Sequence, residues 1–225
     1  MSGFSIRLKL WLKLWLTSAS TIILMLLFPI VAYVSYTFLS HSIASFTSVF
    51  YEKAALLFFV FIVQWCFSID FDSKCYVQLL TYPIARWKLV VERIVLSLLL
   101  FIGLLAAITI VLTLFAGGFV GKALLFSIPI YVGMAGIVVL ATIIGRHSLG
   151  GLFAGLVIWI LFLDGDALWH HASISLLHLP IVFEELSGGN GLFAPPNEWI
   201  LYNRLFYMSL GVILWVIAIR QIERD

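Results

Sequence analysis

Six apolar runs recur along this chain, at residues 21–38, 54–69, 94–117, 124–144, 149–163 and 199–219, with little polar sequence between them. The hydrocarbon core of a bilayer takes about 20 apolar residues of helix, within a range of roughly 17–25, and four of the six runs reach that length. The second becomes long enough by taking in residues 48–51. The fifth either starts at Arg146 or His147, whose side chains snorkel to the surface, or ends early and re-enters. The chain is 63% hydrophobic and only 11% charged, where a soluble domain carries roughly 25% charged residues. A soluble core cannot absorb that excess. The expected fold is an all-α membrane protein of six transmembrane helices, with residues 1–225 forming a single domain.

The net charge of +2 says nothing about nucleic acid or acidic ligands, but its distribution is informative. With the N-terminus in the cytoplasm, Arg7, Lys9, Lys13, Lys74, Arg86, Lys88, Arg93, Arg146, Arg220 and Arg224 fall on the cytoplasmic side, ten of the 13 basic residues. Only Lys53, Lys122 and Arg204 fall outside. Cytoplasmic loops favour Lys and Arg, so both termini are expected in the cytoplasm. The first run is read as a retained span, because no small-residue cleavage site follows it. Cys66 and Cys75 lie in and just beyond the second run and are read as small apolar side chains, not a disulfide.

Residues 4–17 alternate in a way that suits a strand, but a lone strand at a membrane surface leaves its backbone unpaired. Wound as a helix, Ser5, Lys9, Lys13 and Thr17 form one polar stripe with Leu and Trp around the remainder. This predicts an interfacial helix on the inner leaflet, an anchor that can also touch a partner subunit. Residues 41–53 are read as a short external turn. Gln64 is the one strongly polar side chain among Phe58, Phe59, Phe61 and Trp65, suited to an interhelical hydrogen bond or to a substrate path. Residues 117–122 form a hairpin between the third and fourth spans. Gly117 with Gly121, and Gly151 with Gly155, stand four apart, a spacing that permits close helix approach.

Residues 164–198 form the long external segment. It carries Asp164, Asp166, Glu184, Glu185 and Glu198, no basic residue, and apolar stretches that Pro180 divides. Two short helices dipping into the outer leaflet or capping a cavity are expected there, either re-entrant or interfacial.

Motifs for chemistry are few. Residues 117–122 superficially resemble a phosphate loop, but three residues rather than four separate the flanking glycines and Ala123 follows the lysine. The chain is therefore expected not to hydrolyse ATP itself. Glu184 and Glu185 offer paired carboxylates, as an intramembrane enzyme would use, without an HExxH motif. His170, His171 and His178 can place two imidazoles on one helical face, either as interfacial polar groups or for metal or pH sensing. No catalytic residue and no metal ligand is assigned. Arg204 lies about a turn and a half into the last run, where it snorkels outward, pairs with an external carboxylate, or acts in gating.

The polar segment at residues 70–93 interrupts two apolar runs. Pro83 suits the first turn of a helix with Thr81 or Tyr82 as its cap, which predicts a helix, a bend, and a second helix leading into the third span. Arg86, Lys88 and Arg93 then lie near the headgroups. Leu79-Leu80-Thr81-Tyr82-Pro83-Ile84-Ala85-Arg86-Trp87-Lys88-Leu89-Val90 closely resembles the coupling segment of type-2 ATP-binding-cassette permeases, which reads roughly Leu-Leu, two residues, Pro-Ile-Ser-Arg, then an apolar stretch. Ala85 stands where serine is usual, Glu92-Arg93 where Gly-Lys often follows, and Asp72-Ser73 where an acidic-glycine pair often stands. The six-span layout, the N-terminal interfacial helix and the external dip share the resemblance.

That resemblance implies the permease subunit of a small six-span bacterial exporter, set in the cell's inner membrane. A second permease subunit, identical or not, would complete the path, and separate ATPase subunits would carry ATP and magnesium; this chain would bind no cofactor. Tyr76, Gln78, Leu79, Tyr82, Pro83, Arg86 and Lys88 would contact the ATPase. Phe58, Phe61, Gln64, Trp65, Phe153 and Trp159 would suit a path for a hydrophobic or amphipathic peptide or drug-like cargo, unless the aromatics simply face lipid. The alternatives are a non-transporting sensor or immunity subunit, and an intramembrane enzyme.

Overall fold

The computed structural model describes residues 3–39, 42–72, 86–164, 179–187 and 198–224. In order, these form α1 (Gly3–Thr17), α2 (Ala19–Leu39), α3 (Ile43–Thr47), a π-helical turn (Ser48–Ala54), α4 (Ala55–Phe71), α5 (Arg86–Ala116), α6 (Phe119–Gly145), α7 (Ser148–Asp164), α8 (Leu179–Ser187) and α9 (Glu198–Arg224). All described regular structure is helical. Five stretches are long and apolar enough to cross a membrane: Thr21–Leu39, Ile43–Ser68, Trp87–Ala116, Phe119–Gly145 and Glu198–Arg224. α7 is apolar but shorter, at 17 residues.

The N-terminal alternation does wind as a helix. Lys9, Lys13 and Thr17 are exposed on α1, while Trp15 is buried. Residues 43–53 are helical and not a turn, which corrects the expectation above for that stretch. Ser42 caps a helix that begins at Ile43, accepting the Ser45 amide at 3.3 Å, and the chain continues through the π turn into α4. Glu52 and Lys53 read as water-facing in sequence, but Glu52 is buried and its charge is met inside the bundle, so the chain need not leave it. The segments carrying residues 73–85, 165–178 and 188–197 lie outside the described residues, among them His170, His171 and His178.

α6 is the central helix, packed against α4, α5, α7 and α9. The span containing α4 is 67% buried and α6 is 61% buried, whereas α2 is 17% buried and α9 22%, which places the last two on the periphery. Rings fill the centre: Phe59, Phe101 and Tyr131 meet at centroid distances of 4.6–5.6 Å, and Phe28 stacks on Phe50 at 5.4 Å. Glycines set the closest approaches. A Cβ on Gly211 would strike the Val132 carbonyl, and one on Gly136 would sit 2.8 Å from Gly211 Cα, so α6 and α9 touch backbone to backbone. Gly151 and Gly155 act in the same way, packing α7 onto Thr142 and Val138 of α6 and onto Val60 of α4. Gly117 and Gly121 approach nothing within 4 Å. Gly117 instead supplies the positive φ of 85° that ends α5, and the turn to α6 occupies only Gly117 and Gly118.

Candidate functional site: two polar centres in an apolar bundle

The first centre is built on the π turn. A π turn takes in more residues than an α turn, so its backbone ladder falls out of step with the flanking helix, and such turns concentrate at functional sites. Here side chains of other helices engage that backbone. Tyr131 Oη of α6 donates to the Tyr51 carbonyl at 2.7 Å, and Trp159 Nε1 of α7 donates to the Lys53 carbonyl at 2.9 Å. Thr109 Oγ1 gives its proton to the Leu105 carbonyl at 2.7 Å, which leaves it to accept from Tyr51 Oη, also at 2.7 Å. The turn is thereby tied to α5, α6 and α7.

Glu52 points inward from the same turn, its side chain fully buried. Its Oε1 accepts from Arg204 Nη2 of α9 at 3.2 Å and from the Leu179 backbone amide of α8 at 3.1 Å. Its Oε2 accepts from Ser48 Oγ at 3.0 Å. A buried carboxylate is tolerated only when paired and hydrogen-bonded, and both conditions hold here. Arg204 is 5% exposed and also donates to Asn203 Oδ1 at 3.3 Å. It does not snorkel outward: its partner is a carboxylate on the second span at the same depth, and the ion pair crosses from the π turn to α9. Among the described residues, Arg204 Nε has no hydrogen-bond partner.

The second centre lies at the far end of α4, about 25 Å away at 1.5 Å per helical residue. Arg93 of α5 forks onto Asp70 of α4, with Nε donating to Oδ2 at 2.5 Å and Nη2 to Oδ1 at 3.0 Å. The Trp11 ring of α1 covers the guanidinium, its centroid 3.4 Å from Cζ. Arg93 was expected among headgroups, but it is 6% exposed, because Asp70, 23 positions earlier and on the neighbouring helix, neutralises it in place. Beside this fork, Asp72 accepts the Ser148 amide at 3.0 Å and the Ser148 hydroxyl at 2.5 Å, capping the N-terminus of α7 from another helix. Gln64 Nε2 donates to the same hydroxyl oxygen at 2.9 Å, so a chain of hydrogen bonds runs from Gln64 through Ser148 to Asp72.

Asp70 joins α4 to α5 through a fork with a planar, bidentate geometry that lysine cannot reproduce. Arg93→Lys is therefore expected to weaken the chain by about 1.5–3 kcal/mol, the range for a hydrogen bond to a charged group. Thermal unfolding of the purified protein in detergent measures it, and an unchanged midpoint would mean that the fork contributes nothing.

Of the residues expected at an ATPase contact, Tyr76, Gln78, Leu79, Tyr82 and Pro83 lie outside the described residues. Arg86 opens α5, and Lys88 is exposed with Nζ 5.6 Å from the Trp87 ring centroid. Of the six residues expected along a path, Phe58, Phe61, Gln64 and Trp65 lie on α4, and Phe153 and Trp159 on α7, which packs against it. Phe58 lies on Phe28 at 4.8 Å, Trp65 meets Trp11 and Trp15 edge-on at 6.5 Å each, and Phe61 is half-buried. Gln64 and Trp159 are bonded to Ser148 and Lys53 as described, and Phe153 is 71% exposed. None of them lines the apolar groove of about 470 Å³ between α2 and α5, which Pro29, Tyr33, Tyr36, Ile108, Val111 and Phe115 border.

Glu52 and Asp70 were missed as site residues. One signal was available: an arginine inside an apolar run requires an acid at its own depth, and Glu52 precedes the second run by two residues. Among the described residues, no group of three or more His, Cys, Asp or Glu is arranged to hold a metal. No family model, curated protein or solved structure matches this chain. What the fold and these centres define is a class: an all-helical bundle with five helices long and apolar enough to cross a membrane, and a buried ion pair near each end of the second.

Proposed function

We propose that this chain is the permease subunit of an ATP-driven exporter of the type-2 ATP-binding-cassette kind. It spans a bacterial cell membrane six times, with α7 as the fifth and shortest span, and keeps both termini in the cytoplasm. Residues 70–93 form the coupling element, which separate ATPase subunits carrying ATP and magnesium push from below. A second permease subunit supplies the other half of the path, and the cargo is hydrophobic or amphipathic.

The observation that carries this reading is the Asp70–Arg93 fork, covered by Trp11. It joins the two helices that flank residues 73–85 at the point where they leave and re-enter that segment. A coupling element needs rigid arms, since a push on a loop between two loose helices dissipates in the loop. Asp72 extends the rigid part to α7 by capping it, so displacement at residues 73–85 reaches α4, α5 and α7 together. α1, packed by Trp11 and Trp15 against Trp65 of α4, lies at the same end.

Co-purification with candidate ATPases tests the proposal. The wild-type chain is expected to form a complex and raise ATP hydrolysis, and Arg86→Glu to lower that stimulation about tenfold, as loss of one charged contact implies, with Tyr82→Ala lowering it less, both without changing the melting midpoint. A chain that never forms a complex with any ATPase sinks the proposal. Flux measured in vesicles separates an exporter from a sensor, which binds cargo without ATP-dependent movement.

A further inference from the structure

The nine-residue helix α8 is attached to the bundle in an unusual manner. Leu179 and Val182 are buried, Phe183 meets Phe119 edge-on at 4.8 Å, and Ile181 and Glu184 are exposed. Its first amide rests on a charged group, Glu52 Oε1, which Arg204 of α9 holds at the same time. An apolar pair of similar volume often holds helices at least as strongly as a buried ion pair, so a charged fastening contributes something other than adhesion. What it contributes is a contact that can open. If the Leu179 amide leaves, Glu52 keeps Arg204 and Ser48 as donors, and the carboxylate is not stranded.

We propose that α8 is a releasable strap across this end of the bundle, latched by the Leu179 amide on Glu52, with Arg204 holding the carboxylate in place. The π turn presents Glu52 to α8 and α9 together, so movement of α9 or of the π turn changes the latch. Opening uncovers the apolar underside of α8 around Leu179 and Val182. The inference does not depend on the transport reading, and it holds or fails on the isolated chain.

Thiol accessibility tests it in the purified full-length chain, with Cys66→Ala and Cys75→Ser removing the native thiols. A reporter at Val182→Cys is expected to react slowly with a water-soluble maleimide. Glu52→Gln keeps only an uncharged acceptor oxygen for the Leu179 amide and removes the counter-charge of Arg204. It is expected to raise that rate about tenfold, the order implied by exchanging a hydrogen bond to a charged group for a neutral one. The double variant Glu52→Leu with Arg204→Met removes the acceptor of the Leu179 amide without stranding a charge, and is expected to react at least as fast as Glu52→Gln. A second reporter at Val60→Cys, buried between α4 and α7, reads global loosening and is expected to stay constant. An unchanged Val182→Cys rate in Glu52→Gln overturns the latch, as does a double variant that reacts no faster than the unmodified latch. If Glu52→Gln raises both reporters, Ser48→Ala decides: it removes a donor that Glu52 keeps when the latch opens, so a slower reaction at position 182 supports the latch, and an unchanged or faster one overturns it.

Discussion

Glu52→Ala is expected to lower the stability of the folded chain by about 3–5 kcal/mol, the cost of leaving one member of a buried ion pair without its partner. The stranded group is the Arg204 guanidinium, 5% exposed and with one nitrogen already lacking a partner. The Leu179 amide and the Ser48 hydroxyl lose their acceptor in the same step. Arg204→Met alone is expected to cost a comparable amount, since it strands Glu52. Combining Glu52→Leu with Arg204→Met removes both charges and is expected to recover most of the loss, because neither partner is then buried alone. Denaturant or thermal unfolding in detergent measures all three. Additive losses in the double variant would show that the pair is not coupled.

Gly211→Val is expected to destabilise the chain by about 3 kcal/mol or more, at or beyond the upper end of ordinary overpacking costs. A side chain there meets the Val132 carbonyl carbon and oxygen, which are backbone atoms and cannot move to another rotamer. Relief requires α6 and α9 to separate along the most closely packed pair in the bundle. Gly121→Ala provides the contrast. It meets nothing within 4 Å and lies in the first turn of α6, so it is expected to gain roughly 0.5–1 kcal/mol from helix propensity. Unfolding midpoints of opposite sign for the two variants check both claims, and similar effects would mean that the approach of α6 to α9 does not depend on glycine.

The two glycine pairs illustrate how far spacing carries. Gly117 with Gly121 and Gly151 with Gly155 are equivalent in sequence, each four apart. Only the second pair lies at an interface, against α4 and α6, while Gly117 ends a helix through its positive φ. Spacing specifies that two small residues share a helix face, and not whether another helix lies opposite. Gln64 behaves similarly. Its need for a partner was legible, whereas Ser148, 84 positions on, was not.

The helices themselves, and the winding of the N-terminal stripe, follow from sequence alone. Long apolar runs have few ways to satisfy their backbone polar groups, and a four-residue polar period selects a helix. Charge placement could not be read in the same way. Glu52 and Arg204 are separated by 152 positions, and Asp70 and Arg93 by 23, so each charge taken alone reads as a group seeking water. The tertiary fold decides otherwise by bringing an opposite charge to the same depth, because a carboxylate or guanidinium enters an apolar interior when its partner and donors are already there. Apolar periodicity is a local property and determined the helices; charge compensation is a property of pairs, and only the packing of α4, α5 and α9 determined that.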